Sequence, residues 1–287
     1  MKKFLILLVA IILPLTAFAQ AQITTKKIKI SDFTQKTTKV VLTGNALFDA
    51  VLKEEIAARW RISPYEFCTL QEFNELKNQD SHYFLISTKG QFKTEDEPGL
   101  QFLTLVKGGA DAENGLDQML EIVSLPIASA EDPSGRELTF LPAFLMIIQQ
   151  YAQDSIDHDI NAYVGLTNYT KNLGTTASMA IKIAEGDLDS KMSQAAKEKY
   201  LTNGVEIIDQ DAADQMLSTT APNTVISYVA APVSGREGFY CYKMLIDTET
   251  YRLCFFRKHR ISPKYGPGFT DYDLRSIAMT RKEKKTK

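Results

Sequence analysis

Residues 186–217 read GDLDSKMSQAAKEKYLTNGVEIIDQDAADQML, and their order of signals is that of an α/β unit. The spacing predicts a helix over 188–200. Asn203 and Gly204 stop it, since both tolerate the left-handed backbone that closes helices. The run 205–208, Val-Glu-Ile-Ile, is β-branched and apolar, a strand signal. Asp209 then caps a second helix over 210–217. Upstream, 44–76 reads GNALFDAVLKEEIAARWRISPYEFCTLQEFNEL and has the same layout. A shift of 140 or 141 positions brings Leu47 onto Leu188, Trp60 onto Tyr200, Glu66 onto Glu206 and Phe84 onto Val225. At 139 positions Gly99 meets Gly238. One unit is therefore expected twice, with strand, helix, strand, helix, three strands and a helix in each copy.

Outward from these stretches, the other elements are read from local pattern. Residues 39–43 form a β-branched strand. Leu47, Val51, Leu52, Ile56 and Trp60 recur at helical spacing, and Trp60, at the end of that apolar side, belongs to the core. Residues 65–68 form a short strand. Thr69 with Glu72 has the spacing of a capping box. Strands are expected at 83–87, 100–106 and 121–127. The segment 140–151 is apolar on most sides, as buried helices are, and Pro142 suits a first helical turn; it is placed between the two units. Strands at 180–184 and 224–230, a hairpin of 239–246 with 251–257, and a helix at 271–279 complete the second copy. In the hairpin Tyr242, Met244, Ile246, Tyr251, Leu253 and Phe255 share an apolar face, and the opposite face is mixed. That pattern suits a covered antiparallel or mixed sheet and argues against a doubly wound parallel one. The expected fold is α/β (α+β): two related units, each a mixed or antiparallel sheet with helices mainly on one face. The divisions are a leader at 1–19, a lead-in at 20–38 with a strand near 27–30, a first unit at 39–153, a connection at 154–176, a second unit at 177–280 and a basic tail at 281–287.

The first residues, MKKFLILLVAIILPLTAFAQ, combine Lys2 and Lys3, an apolar stretch and Ala17-Phe18-Ala19. This is the pattern of a secretory signal peptide cleaved before Gln20. The expected location is the periplasm or the cell exterior. No later stretch reads as an integral membrane segment. A formal net charge of −2 gives no electrostatic reason to expect nucleic acid as a partner. Hydrophobic residues make up 44% of the chain, enough for a full core. Three cysteines do not form a disulfide framework. Cys241 and Cys254 share a face of the hairpin but sit diagonally if its turn is 247–250, so a bridge and free thiols both remain open.

No catalytic, cofactor or metal signature stands out. No glycine-rich loop joins a strand to a helix, and there is no G-x-S-x-G elbow. Asp157-His158-Asp159 reads as a solvated linker. His82 and His259 have no partner in the sequence. Two loops share the tetrad SGRE, and Arg136 and Arg236 are their anion-binding candidates; the two are not repeat-equivalent. The stretch 261–269, ISPKYGPGF, offers Lys264, Tyr265 and Phe269 as a recognition loop, with packing over the sheet end as its plain structural reading.

The form of 200–217, a helix end, Gly, Val-Glu-Ile-Ile-Asp and a short acidic-capped helix, resembles the small α/β domain of the curli-secretion protein family. It also resembles the N-terminal domain of the Tol-system protein TolB. The resemblance covers 181–230 and, more loosely, 40–87. It implies a non-enzymatic envelope domain that docks other proteins. Lipidation cysteine and membrane-inserting hairpins are missing here, so pore formation is not implied. The exported, duplicated layout is similar to envelope proteins of Bacteroides-like bacteria. The expectation is an exported non-catalytic binding or scaffold protein of the cell envelope, without cofactor, that engages an envelope protein or surface component. The alternative is an exported hydrolase with a dispersed active site.

Overall fold

A computed structural model describes residues 28–158, 161–202, 204–233 and 235–283. The leader at 1–19, the first part of the lead-in, Asp159, Asn203 and the end of the basic tail lie outside the described residues.

The first unit runs β1 (Thr37–Val41), α1 (Ala46–Arg59), β2 (Tyr65–Cys68), α2 (Leu70–Leu76), β3 (His82–Gly90), β4 (Leu100–Lys107), β5 (Leu120–Ser129) and α3 (Arg136–Asp157). The second runs β6 (Ala180–Ala184), α4 (Gln194–Tyr200), β7 (Val205–Ile208), α5 (Gln210–Ser218), β8 (Thr224–Ala230), β9 (Tyr240–Asp247), β10 (Leu253–Arg260) and α6 (Asp271–Glu283). Each unit builds a five-stranded mixed sheet, in the order β2-β1-β3-β4-β5 or β7-β6-β8-β9-β10. In each, the first three strands are parallel and the last two antiparallel. The fold is α/β, made of two similar units.

The correspondence extends to side chains. Lys39 lies opposite Glu66 on β2, and Lys182 lies opposite Glu206 on β7. Each lysine donates to its glutamate across the strands. Taking Lys39 with Lys182, the strand registers match Phe84 to Ile226 and not to Val225. The offset is 143 at β1, 140 at β2 and 142 at β3, because the intervening connections differ in length.

Local chemistry accounts for the well-formed elements. Asn45 Oδ1 accepts from the backbone of Leu47 and Phe48 and caps α1. Thr69 and Glu72 close the capping box of α2 with both reciprocal bonds. Asp209 accepts from the backbone of Asp211 and Ala212 at α5. Trp60 is buried, and its indole donates to Ser63 Oγ at 3.0 Å.

Helices pack on both faces of each sheet. In the first unit α1 and α3 bury Phe48, Leu52 and Ile56 with Val40, Leu85 and Leu105. The smaller α2 packs Phe73 on Phe84 on the other side. In the second unit α6 covers Ile181, Ile183 and Val225, while α5 and α3 cover Ile226, Tyr228 and Met244. β3 and β8 are accordingly apolar on both faces. The central helix α3 is shared: it packs on α1 and β5 of its own unit and on α5 of the other. Its Phe140 and Phe144 rings lie 4.4 and 5.1 Å from Tyr228. The two units thus share one continuous core. Among the described residues, no helix is long and apolar enough to cross a membrane.

Several local expectations are corrected. Residues 28–30 form a helical turn instead of a strand. Ile30 and Phe33 are buried, with Phe33 edge-on to Tyr83, so the described part of the lead-in is packed structure. α3 begins at Arg136, which leaves Pro142 inside the helix. Only the last part of the 188–200 helix forms, as α4; Leu188 instead bridges to Phe269. The connection is ordered as well. A 3₁₀ stretch, Leu166–Thr176, buries Leu166, Tyr169 and Leu173 beside β10. In the hairpin, β10 carries a bulge between Leu253 and Phe255. An extra residue there reverses the facing of the rest of the strand. Phe256, and not Phe255, therefore joins Met244 and Ile246 on the shared core, while Phe255 joins Leu245 beneath α6. The Cys241–Cys254 bridge does not form: all three cysteines are free and buried. Cys241 faces His259 across the strands, and Cys254 sits at the bulge.

One carboxylate anchors the lead-in to the first sheet. Asp32 accepts from the Tyr83 hydroxyl at 2.5 Å and pairs with Lys107 at 2.9 Å and Lys36 at 2.8 Å. Burial is the largest single influence and opposes its ionisation. Hydrogen bonds from Lys36, Tyr83 and Lys107 together outweigh burial and hold the carboxyl at about 2. An unfolded aspartate titrates near ~3.9. The folded value is the lower one, so the stabilisation is complete above about pH 4 and is lost as pH falls towards about 2. Asp32→Asn is expected to remove that part of the acid-induced loss. Thermal melts between about pH 5 and 2 check this, and identical pH profiles for the two proteins would refute it. The side chain is a third exposed, so the effect is modest and screened by salt.

Candidate functional site

Four loops drawn from both units meet at one cleft of about 360 Å³. The stretch 128–136 enters from the first unit, and 186–190, 228–233 and 267–268 from the second. Ser134, Ser190, Gln210 and Asp132 supply polar groups to the walls, and Val233 stands 61% exposed at the rim.

Backbone pairing makes the cleft rigid. Phe269 N donates to Asp187 O at 2.7 Å, and Asp189 N donates to Phe269 O at 3.0 Å. Gly268 lies between them with φ of +105°, and a Cβ there would sit 2.6 Å from Asp187 O. Only glycine permits that approach and that backbone conformation. Asp189 accepts from the backbone of Lys191 and of Gly266, each at 3.0 Å. Lys191 Nζ in turn donates to the carbonyls of Ser262 and Pro263. These bonds hold Leu188 extended after the 3₁₀ turn Glu185–Asp187 and explain the missing start of the helix.

Arg136 is committed to the protein itself. Its Nη1 donates to Asp187 at 2.6 Å, its Nε to Asp214 at 2.7 Å and its Nη2 to Ser227 O at 3.1 Å. Its guanidinium lies against both the Phe140 and Tyr228 rings, 5.0 and 5.1 Å from their centroids. Burial is the largest influence and disfavours its charge. Asp187 and Asp214 outweigh it and raise Arg136 above its ordinary value. With two carboxylates against one guanidinium, the site is not an anion receptor. It is a clamp from α3 onto the second unit.

Arg236 makes the reverse tie. It is exposed, pairs with Asp96 and Glu97 on a loop of the first unit, and stacks on Phe239. The two SGRE arginines therefore each reach from their own unit into the other. Ser234, in the second tetrad, lies outside the described residues. In the 261–269 loop, Lys264 is exposed and lies 4.8 Å over the Tyr265 ring. Its hydrogen bond with Tyr265 raises its pKa. Tyr265 is half-buried. Phe269 is fully buried and stacked on Phe255 at 5.9 Å, so it is core and not a recognition side chain. Asp187, Asp214 and Ser190 were not singled out from the sequence. The Asp-Leu-Asp of 187–189 carried the signal but reads as the acidic first turn of a helix.

The other sequence candidates for chemistry are buried or half-buried away from the clefts, or solvated. The facing pair Cys241 and His259 is the nearest approach to a nucleophile and base. A reactive cysteine needs a lowered pKa and access. Burial instead pushes the Cys241 thiol up to about 12, and its sulfur accepts from Gly268 N. Burial likewise lowers the His259 pKa, and Nε2 lies 2.8 Å from Gly266 O. Neither His82 nor His259 lines any of the described clefts. His158 is exposed.

Fold and cleft together define a duplicated mixed-sheet α/β protein with its loop cluster between the units. No family model, curated protein or solved structure matches the chain.

Proposed function

We propose that this protein is exported and acts as a non-catalytic binding or scaffold protein of the cell envelope, taking up a protein segment or surface component at the inter-unit cleft. The observation that carries this reading is the convergence of four loops, from both units, on one rigid cleft. Loops held by a rigid scaffold are the usual carriers of recognition. The leader pattern at 1–19 supports export, and the resemblance of 200–217 to envelope docking domains supports a binding role.

The test places a photo-crosslinking residue at Val233, with Leu70, 56% exposed on α2, as control. Envelope extract is expected to give a discrete adduct from position 233 alone, with the mature chain starting at Gln20. Equal labelling from both positions, or none, counts against the cleft. A hydrolase would instead turn over an ester, glycoside or peptide substrate, and loss of that turnover in a Ser190→Ala variant would replace the binding reading.

A further inference from the structure

The largest of the described clefts is a groove of about 640 Å³ on the outer face of the first sheet, and it shares no lining residue with the inter-unit cleft. Its meaning emerges from the repeat. By strand register, Thr104 and Ser124 of the first unit correspond to Met244 and Phe256 of the second. In the second unit these positions are apolar and buried in the shared core with α3. In the first unit these two positions carry hydroxyls and line a groove; Thr104 lies at its base, 5% exposed, with Thr88 and Ser124 half-buried beside it. Thr88 and Thr104 approach at 3.5 Å, Thr104 and Ser124 at 3.0 Å, and Ser124 donates to Glu121 at 2.8 Å. The result is a row of hydroxyls across three strands that ends on an exposed carboxylate.

The walls are also particular to this unit. The second unit joins β9 to β10 by a tight turn, but the first joins β4 to β5 by 108–119, whose Leu116 and Met119 form one wall. Phe92, Phe102 and Tyr242 form the other, with Phe92 half-buried and 6.4 Å from Phe102. A polar floor, apolar walls and an added connection together make a groove where the sister unit has an internal contact. Its volume lies in the range of small-molecule sites, about 300–1,000 Å³.

We infer that this groove binds an oligosaccharide. A pyranose presents hydroxyls at its rim and C–H groups on its faces, which match a hydroxyl row between apolar and aromatic walls. Serine and threonine hydroxyls both donate and accept, as sugar hydroxyls require. Adjacent strands lie about 4.8 Å apart, roughly the length of one sugar residue, so successive side chains of the row address successive parts of a chain. The hydroxyl row crosses the face of β3, β4 and β5, and β4 beneath it is already paired on both sides, so the floor of the groove offers side chains and no free backbone for an added strand.

Saturation-transfer NMR on the intact protein with maltotriose, chitotriose and mannotriose tests this. At least one trisaccharide is expected to show transfer. Its affinity should fall about tenfold or more in Thr104→Val with Ser124→Ala, as the Ser124 hydroxyl is lost together with the Thr104 hydroxyl that orients the row. Glu121→Gln, at an exposed position, gives a second reading of the same row. The sister face tolerates Met244 and Phe256 at the two altered positions, so the fold should hold, and a thermal melt checks it. A Val233 variant in the inter-unit cleft should bind the sugar as the parent does. No transfer from any of the three sugars, or affinity unchanged in both groove variants, would overturn the inference.

Discussion

Replacing Asp273 with alanine is expected to cost about 3–5 kcal/mol of stability, because it strands a lysine in the core. Lys243 is 1% exposed and Asp273 fully buried, with 2.7 Å between Nζ and Oδ2. Asp273 also accepts from Arg257 at 3.0 Å and from the backbone and hydroxyl of Thr270 at 2.9 and 2.8 Å. It is therefore both the counter-charge of β9 and the capping partner at the start of α6. Burial is the largest influence on its carboxyl and opposes ionisation. Lys243 and Thr270 together outweigh it and keep the pKa below the ordinary value. The folded pKa is the lower one, so the contribution is complete above the unfolded value, near ~3.9, and is lost as pH falls through the folded value. Urea unfolding should show a lower midpoint with an unchanged slope. Lys243→Met added to Asp273→Ala should recover part of the loss, since the fully buried charge is then gone, although the cap and the partner of the less buried Arg257 remain missing. A single variant within about 0.5 kcal/mol of the parent would sink this account of the core.

Arg136→Ala should be comparably damaging, at about 3 kcal/mol or more. It leaves Asp187 buried, with the Ser227 hydroxyl at 2.5 Å as its remaining side-chain donor. It also removes the cation held against Phe140 and Tyr228. The partners can be separated. Asp187 is 4% exposed and Asp214 19%, so Asp187→Ala should cost more than Asp214→Ala. A double-mutant cycle should give the larger coupling for Arg136 with Asp187. Because the clamp joins α3 to the second unit, its loss should also loosen the attachment of that unit, read as earlier hydrogen exchange in β8. Equal coupling to both aspartates would mean that the clamp is a surface contact.

Several corrections have one origin. The Arg136 guanidinium lies beside Asp187, 51 positions away in the chain, and the tetrad around it gives no hint of that partner. Phe269 looks like an exposed anchor within a Pro/Gly loop, but the loop is pulled onto 187–189 by backbone bonds and the ring enters the core. The same bonds cancel the helix expected at Leu188. One bulge in β10 exchanges the destinations of Phe255 and Phe256, and alternation alone does not locate a bulge. The groove on the first sheet is invisible in the sequence, because Thr104 and Ser124 gain meaning only beside Met244 and Phe256, and strand register alone makes that comparison.

What local pattern determined is whatever is decided within a few residues. The capping box of Thr69 and Glu72, the Asp209 cap, the β-branched strands read from 39–43 and 205–208 and the repeated order of elements are of this kind, since their hydrogen bonds and side-chain periodicity are closed locally. Tertiary structure decided which face meets which core, which charges are spent on holding the units together and which surface stays open. Those outcomes depend on partners distant in the chain, whose approach is set by the packing of two sheets around α3.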